Sequence, residues 1–257
     1  ITIAEAAEAA ALSEEELVRG DLYAADGMPS PPPPPAPPPA VLPLGLADDA
    51  IHVVHDAASL AKLSAAATPA AGCSGRLGID LEWAGGALGG GGADRVQWLQ
   101  LATTEAVYLL DIPHLTATCP QELSDALQRL MAHPSLLKIG FGLSDDLRKL
   151  RAAHPALSAV GAAAPVREIG EAYKQLRGRG KASQPLGLSQ ICKEVLGLPL
   201  DKRMRLTNWA RRPLTPPQVT YAALDAHCLL MLASEMERQA ASQPRAEKGD
   251  KGRRGGR

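Results

Sequence analysis

Two carboxylates, Asp80 and Glu82, stand one residue apart at the end of an apolar stretch and directly before Trp83. If this stretch is a strand, alternate side chains share a face, so both carboxylates point the same way, about 6 to 7 Å apart. Two like charges on one face repel each other and resist burial unless cations lie between them. The pair therefore indicates a metal site, although a strand at a sheet edge also carries solvated carboxylates without any chemistry.

A third carboxylate comes from residues 138–150, which read as a short strand, a glycine-bearing turn and a helix. At about 100° per residue, Asp146 flanks the apolar stripe of leucines on this helix. Its neighbour Asp145 falls on the solvent side of the first turn, where a carboxylate complements the helix dipole without any catalytic role. Asp146 is therefore the candidate ligand of the two.

A tyrosine and a fourth carboxylate share one face of a later helix. Thr215 and Gln218 form a predicted capping box, and Pro216 takes the first helical position, where its missing N–H costs nothing. The predicted buried stripe of this helix contains Asp225 beside Tyr221. A carboxylate inside an apolar face is strongly unfavourable unless it is paired or binds metal.

Taken together, these residues resemble the DEDD superfamily of 3′-to-5′ exonucleases in its tyrosine-bearing form. The first family motif is an Asp-x-Glu on a strand, matched by Asp80 and Glu82. The second is an aspartate in a helix after a Gly-x-Gly strand exit, matched by Asp146. The third is Tyr-x-x-x-Asp, matched by Tyr221 and Asp225.

The subclass follows from one position, because the histidine form would place its histidine where this chain has Thr220. Around the motifs the sequence is most similar to the mutator-seven and Nibbler group, with Werner-type and ribonuclease D-type domains more distant. The resemblance covers about residues 50–235, and outside the motifs it is carried by residues 187–197, 200–202 and 208–214. A glycine-rich insert at residues 85–92 departs from the family pattern, and we expect it to affect substrate entry rather than the metal ligands.

Four carboxylates form a hard oxygen-donor site that suits two divalent ions, Mg²⁺ or Mn²⁺. The resemblance implies that Asp80 bridges both ions, that Glu82 and Asp225 hold one side, and that Asp146 completes the second, partly through water. Tyr221 has an ordinary pKa near 10 and is a poor base at neutral pH. We expect it to orient the nucleophile by hydrogen bonding.

The formal net charge of −1 hides a strong asymmetry. Residues 1–56 carry ten acidic side chains and one basic one, whereas residues 167–212 carry eleven bases against four acids. The basic cluster is expected to neutralise phosphates upstream of the scissile end, although solvated surfaces also carry such charges. The candidate nucleic-acid contacts are Lys202, Arg203, Arg205, Arg211, Arg212 and Trp209. A tryptophan in the position of Trp209 is more often a core residue than a base-stacking one.

Three early strands joined by hairpin-length links, then strands alternating with helices, predict an α/β protein with a mixed sheet. This pattern fits the ribonuclease H-like fold that the resemblance implies, with three antiparallel strands plus parallel strands flanked by helices. The predicted strands are 77–83, 96–102, 107–111, 136–140 and 165–169, and the predicted helices are 120–132, 144–152, 170–177, 186–196 and 216–238.

The chain divides into four predicted regions. An acidic, Ala/Glu-rich segment (1–30), with a helix over 4–19, precedes a Pro-rich linker (31–49). The exonuclease domain (50–238) is followed by a basic tail (239–257) that we expect to be disordered. The proline run is interpreted as a spacer, with docking of SH3-type or WW-type protein partners as the alternative.

Composition bounds the setting of the protein. No run of eighteen apolar residues occurs, so no membrane-spanning helix is expected. Four cysteines without metal-ligand spacing favour a reducing, intracellular compartment, either nucleus or cytoplasm. The chain begins with Ile1 rather than methionine, so we expect that it is a fragment whose targeting signals are missing.

The sequence favours a metal-dependent exonuclease that removes nucleotides from the 3′ end of single-stranded nucleic acid or of a 3′ overhang. The resemblance favours RNA 3′-end trimming over DNA, with a DNA-directed Werner-type activity as the alternative. A second alternative is a catalytically weak nucleic-acid-binding or scaffold module that keeps the fold.

Overall fold

The computed structural model describes residues 40–84, 96–158, 160, 163–178 and 186–242. The strands are β1 (Ile51–Val54), β2 (Gly75–Trp83), β3 (Val96–Ala102), β4 (Val107–Asp111), β5 (Leu136–Gly140) and β6 (Val166–Glu168). The helices are α1 (Ala57–Ala67), α2 (Ile112–Thr118), α3 (Pro120–Ala132), α4 (Leu143–Ala153), α5 (Ile169–Arg177), α6 (Leu188–Leu196) and α7 (Pro216–Ser242). Short 3₁₀ turns cover Asp48–Ala50 and Pro155–Leu157.

One mixed sheet with strand order β1-β4-β3-β2-β5-β6 organises the domain. Strands β2, β3 and β4 are antiparallel neighbours, whereas β1 runs parallel to β4, β5 to β2 and β6 to β5. The predicted combination of three antiparallel strands with parallel strands is therefore confirmed. One of the two central strands is β2, which carries the Asp-x-Glu motif.

The two faces of the sheet support two separate cores. Leu77, Ile79 and Leu81 of β2 pack with α1, α2, α3 and α4 on one face. Helices α5, α6 and α7 cover the other face around a second core. Because strand side chains alternate, the even-numbered residues of β2 point towards α7. The strand thus separates its apolar anchors from its carboxylates.

Three elements were not predicted from the sequence, namely β1, α1 and α2. Leu42, which falls inside the predicted linker (31–49), is buried in the second core, and its N–H donates to Pro199 O at 2.9 Å. Helix α7 continues to Ser242, so residues 239–242 belong to it and not to the predicted tail. The predicted helix 4–19, the proline run, the glycine-rich insert and residues 243–257 lie outside the described residues.

Candidate active site

A close approach between β2 and α7 builds the site. A Cβ atom at Gly78 would lie 2.3 Å from the carbonyl oxygen of Ala226 and 3.4 Å from the Cβ of Ala102. Only glycine therefore allows the α7 backbone to rest directly on the strand. Asp80 is two residues from this contact on the same face of β2, and Asp225 immediately precedes Ala226. The contact consequently brings the first and third motifs together.

Asp80, Glu82 and Asp225 form a compact carboxylate triad in which one ligand oxygen from each lies within 4.8 Å of the other two. Glu82 and Asp225 are buried, and Asp80 is half-buried. Burial and the charges of Asp225 and Asp146 raise the pKa of Asp80 well above its usual value. Burial, then Asp80 and Asp225, raises the pKa of Glu82 to about 10. Three such groups strongly disfavour simultaneous ionisation without a cation.

Asp225 is held on α7 by its neighbour one turn earlier. Tyr221 lies one helical turn before Asp225, and a hydrogen-bonding interaction with its hydroxyl lowers the pKa of the Asp225 carboxyl. Burial raises the pKa of Asp225 to about 7, a shift that this hydrogen bond and the charges of Lys202 and Arg205 reduce. Burial and the nearby carboxylates raise the pKa of Tyr221 far above its ordinary value, so its phenol stays protonated at neutral pH.

The start of α7 confirms the predicted capping box. The Thr215 N–H donates to Gln218 Oε1 at 3.0 Å, and the Gln218 N–H donates to Thr215 Oγ1 at 3.4 Å. The Tyr221 ring lies 5.9 Å from the ring of Trp209. Trp209 is only 1% exposed, so its predicted role in base stacking is wrong and it is a core residue. The cap and the tryptophan together fix the helix turn that presents Tyr221.

Asp146 lies on α4, outside the compact triad but close enough that its charge raises the pKa of Asp80. Burial raises the pKa of Asp146 itself to about 6. Its carboxylate is 3.9 Å from Lys149 Nζ. Asp145, by contrast, is exposed and pairs with Arg148 and Lys149, as expected for a surface residue. Asp146 is thus the less exposed carboxylate of the two, and its role as a metal ligand stays a prediction.

A cavity of about 240 Å³ opens beside the triad. Tyr221 and Asp225 form part of its wall, and Lys202 and Arg205 contribute cationic side chains. The rest of the lining comes from Phe141, Gly187, Leu188, Ser189 and Leu200. Sequence reasoning missed these last residues as site components, because they are apolar or small and carry no chemical signature of their own.

The other arginines predicted to contact phosphate do not line the cavity. Arg203 forms a hydrogen-bonded pair with Asp201, with Nη2 and Oδ2 2.6 Å apart. Arg212 Nη2 donates to Asp111 Oδ1 at 2.8 Å, and its guanidinium lies 4.3 Å from the centre of the Trp98 ring. Arg211 is exposed and does not line the cavity. Among the predicted contacts, Lys202 and Arg205 are therefore the two at the site.

Gln100 is the cross-strand partner of Asp80, on β3. It is completely buried, and within the part of the chain that the structure describes neither polar atom of its amide has a hydrogen-bond partner. An unpaired buried amide destabilises the folded protein. Gln100, which destabilises the folded protein in this way, therefore lies directly beside Asp80.

The residues fit divalent metal ions. Carboxylate oxygens are the preferred ligands of Mg²⁺ and Mn²⁺, and a bound cation would offset both the burial and the mutual repulsion that raise the pKa of Glu82. In the described residues the group contains no cysteine or histidine ligand that would favour a softer metal.

A mixed sheet with an acidic cluster drawn from its central strand and a crossing helix defines the ribonuclease H-like class of exonuclease domains. Within that class, the chain belongs to the 3′-5′ exonuclease family, whose family model matches residues 51–241.

The relatives agree with this assignment. The human protein named exonuclease mut-7 homolog is 35% identical over 181 residues, which cover 66% of this chain and 20% of the relative. Ribonuclease D of Haemophilus influenzae is 29% identical over 140 residues, 54% of this chain and 33% of that protein. The Nibbler EXO domain of Aedes aegypti has a similar fold, with a TM-score of 0.68 and 24% identity over 78% of this chain and 93% of that one.

The chain thus spans about a fifth of the length of the human relative. In the described residues, no helix combines the length and the apolar character needed to cross a membrane.

Proposed function

We propose that this domain is a metal-dependent exonuclease that hydrolyses phosphodiester bonds at nucleic-acid 3′ ends and releases nucleoside 5′-monophosphates. The observation that carries the proposal is the triad of Asp80, Glu82 and Asp225, with oxygens within 4.8 Å of one another beside a cavity. Membership of the 3′-5′ exonuclease family supports the same reaction. We further propose that Asp146 is the fourth catalytic carboxylate.

The four carboxylates would hold two divalent ions, Mg²⁺ or Mn²⁺. Asp80, Glu82 and Asp225 would hold them together with Asp146 from α4. When bound, the ions supply charge stabilisation to the attacking and leaving oxygens of the phosphodiester. The buried positions of Glu82 and Asp225 exclude bulk water, which strengthens every electrostatic interaction with the reacting group.

Tyr221 acts as a hydrogen-bonding group in this proposal. Its raised pKa keeps the phenol protonated, so it cannot serve as a general base near neutral pH. Tyr221 lines the cavity beside Asp225, and its hydroxyl would orient the nucleophilic water or a non-bridging phosphate oxygen.

Lys202 and Arg205 would bind the phosphates of a single strand or 3′ overhang that enters the cavity. Their charges also lower the pKa of Asp225, so they favour the ionised ligand. We propose RNA as the substrate because the similar proteins include one named ribonuclease D, and because the sequence resembles the mutator-seven and Nibbler group. A Werner-type DNA exonuclease is the alternative substrate class.

The test uses oligonucleotides labelled at the 3′ or the 5′ end, as RNA and DNA of identical sequence, with Mg²⁺ or Mn²⁺. We expect metal-dependent shortening from the 3′ end, with loss of activity in Asp80→Ala, Asp225→Ala and Asp146→Ala. Asp145→Ala is the matched control, because Asp145 is the exposed neighbour of Asp146.

Binding without shortening would support the scaffold alternative. Wild-type activity in Asp80→Ala and Asp225→Ala would exclude this site as the active site. Faster shortening of DNA than of RNA would overturn only the assignment of RNA as the substrate.

A further inference from the structure

Glu168 is the last residue of β6, and its carboxylate contacts the beginning of α4, an element 24 residues earlier in the chain. Its Oε2 accepts from the Gly142 N–H at 2.9 Å, and its Oε1 accepts from the Ser144 N–H at 3.2 Å. Each oxygen thus satisfies one backbone donor that α4 cannot satisfy internally. The carboxylate of one element serves as the N-terminal cap of another.

Helix α4 needs this external cap because its own N-cap residue supplies none. Gly142 occupies that position with a φ of +77° and has no side chain. The glycine allows the sharp turn out of β5, but it cannot accept a hydrogen bond from the first turn as Ser, Thr, Asp or Asn would. In sheet register Glu168 pairs with Gly140, so β6 ends at the point where α4 begins.

A short chain of hydrogen bonds links this cap to the fourth carboxylate. Gly142, whose N–H is bound by Glu168, accepts the Asp146 N–H at its own carbonyl oxygen at 3.3 Å. The Asp145 N–H donates to the same carbonyl at 3.1 Å. The Gly142 carbonyl belongs to the peptide that lies between the two peptides whose N–H groups Glu168 accepts, so Glu168 limits the orientation of that carbonyl and with it the position of the Asp146 backbone.

We propose that Glu168 is a positioning residue for Asp146 and thereby for the second metal ion, a role that rests on the proposed function. It does not contact the ion in this role. It fixes the first turn of α4 so that Asp146 reaches the triad from a separate element. The charge of Glu168 also acts on Asp146 directly, which adds to the negative potential that attracts a cation.

The experiment measures Mn²⁺ binding by calorimetry and amide hydrogen exchange on the same 257-residue chain. We expect Glu168→Ala to weaken binding of one Mn²⁺ about tenfold or more, the effect typical of residues that orient a metal ligand. We also expect the Gly142 and Ser144 amides to exchange at least ten times faster, whereas core amides of β3 keep their rates. Glu171→Ala is the matched control, because Glu171 is an exposed carboxylate on the neighbouring helix α5 and pairs with Lys174.

Glu168→Gln keeps one accepting oxygen and nearly the same shape, so it should fold and show smaller changes in the same direction. If Mn²⁺ affinity in both variants equals that of the wild type, the proposal is wrong. Faster amide exchange without weaker Mn²⁺ binding would mean that Glu168 only caps helix α4. If the wild type itself binds no Mn²⁺, the proposed function fails instead. Binding by the wild type therefore distinguishes the two failures.

Discussion

Gly78 lies directly beneath the backbone of Ala226, and a Cβ atom at position 78 would stand 2.3 Å from the Ala226 carbonyl oxygen. The distance between β2 and α7 is therefore set by a residue that takes no part in chemistry. Asp80 and Asp225 flank this contact on the two elements. The position of Asp80 relative to Asp225 therefore depends on the glycine at position 78, which has no side chain to separate the two elements.

Gly78→Ala should consequently damage both stability and activity. We expect a loss of about 2 to 3 kcal/mol in the free energy of unfolding, because the helix must move away from the strand. Activity should fall at least tenfold as Asp225 is displaced from Asp80. Urea unfolding and oligonucleotide shortening measure the two effects.

The control is Gly170→Ala on α5, where the nearest atom to the added Cβ would be 3.5 Å away. This variant should be neutral or slightly stabilised, because alanine favours helix. Equal stability of the two variants would show that the Gly78 contact does not limit the helix position.

The metal-free protein should lose stability as pH rises from about 5 to 8. A raised carboxyl pKa means that the folded state retains a proton that the unfolded state has released, so each pH increment up to the folded pKa favours unfolding. With its pKa raised to about 7, Asp225 alone accounts for up to about 2.7 kcal/mol over this range, two pH units at about 1.36 kcal/mol each.

Thermal unfolding in EDTA at a series of pH values tests this expectation. Asp225→Asn should be more stable than the wild type above pH 7 and should show a shallower slope. Excess Mn²⁺ should stabilise the wild type and should have little effect on the variant. A stability that does not change with pH in EDTA would contradict the raised pKa values.

Tyr221→Phe should separate binding of metal from catalysis. We expect turnover to fall about 10²-fold, since one orienting hydrogen bond is lost, while the Mn²⁺ affinity changes little. Full activity in this variant would eliminate the proposed role of the hydroxyl. Calorimetry on the same preparation detects any indirect loss of the metal.

Lys202→Ala combined with Arg205→Ala should raise KM more than it lowers kcat. The slope of the logarithm of the binding constant against the logarithm of the salt concentration should become shallower by about 0.7 per cation removed, the value for single strands. The double variant Lys62→Ala with Arg129→Ala removes two exposed cations from α1 and α3, on the opposite face of the sheet. An identical change in salt dependence in both double variants would indicate a general charge effect.

Gln100→Leu should leave the metal-free protein equally stable or more stable by about 1 kcal/mol, because it removes an unpaired buried amide of similar volume. Guanidinium unfolding in EDTA provides the measurement. A loss greater than about 2 kcal/mol would mean that the amide is hydrogen-bonded in the folded protein.

The local patterns that identified the site are those whose geometry is fixed by secondary structure alone. Alternation along β2 placed Asp80 and Glu82 together, and helical periodicity separated Asp146 from Asp145. The capping box placed the start of α7 at the correct residue. Each of these inferences needs only the period of one element.

What the sequence could not reveal depends on contacts between distant elements. Strand β1 has four residues, including a histidine, and acquires its pairing only from β4. Helix α1 has a capping box built from Asp56 and Ser59, a weaker sequence signal than one that ends in Glu or Gln. In the sequence, Arg212 and Arg205 are equivalent candidate phosphate contacts. In the folded protein Arg212 pairs with Asp111, a residue about a hundred positions earlier in the chain.

The hydrogen bond between Leu42 and Pro199 also determines where the preceding chain meets the domain. Pro199 is followed by Leu200, which lines the cavity beside Asp225. Leu42, near the beginning of the described residues, is therefore anchored to a stretch of chain that forms part of the cavity wall. The stretch 199–200 consequently fastens one edge of the described domain and shapes the cavity, so neither can be altered without the other.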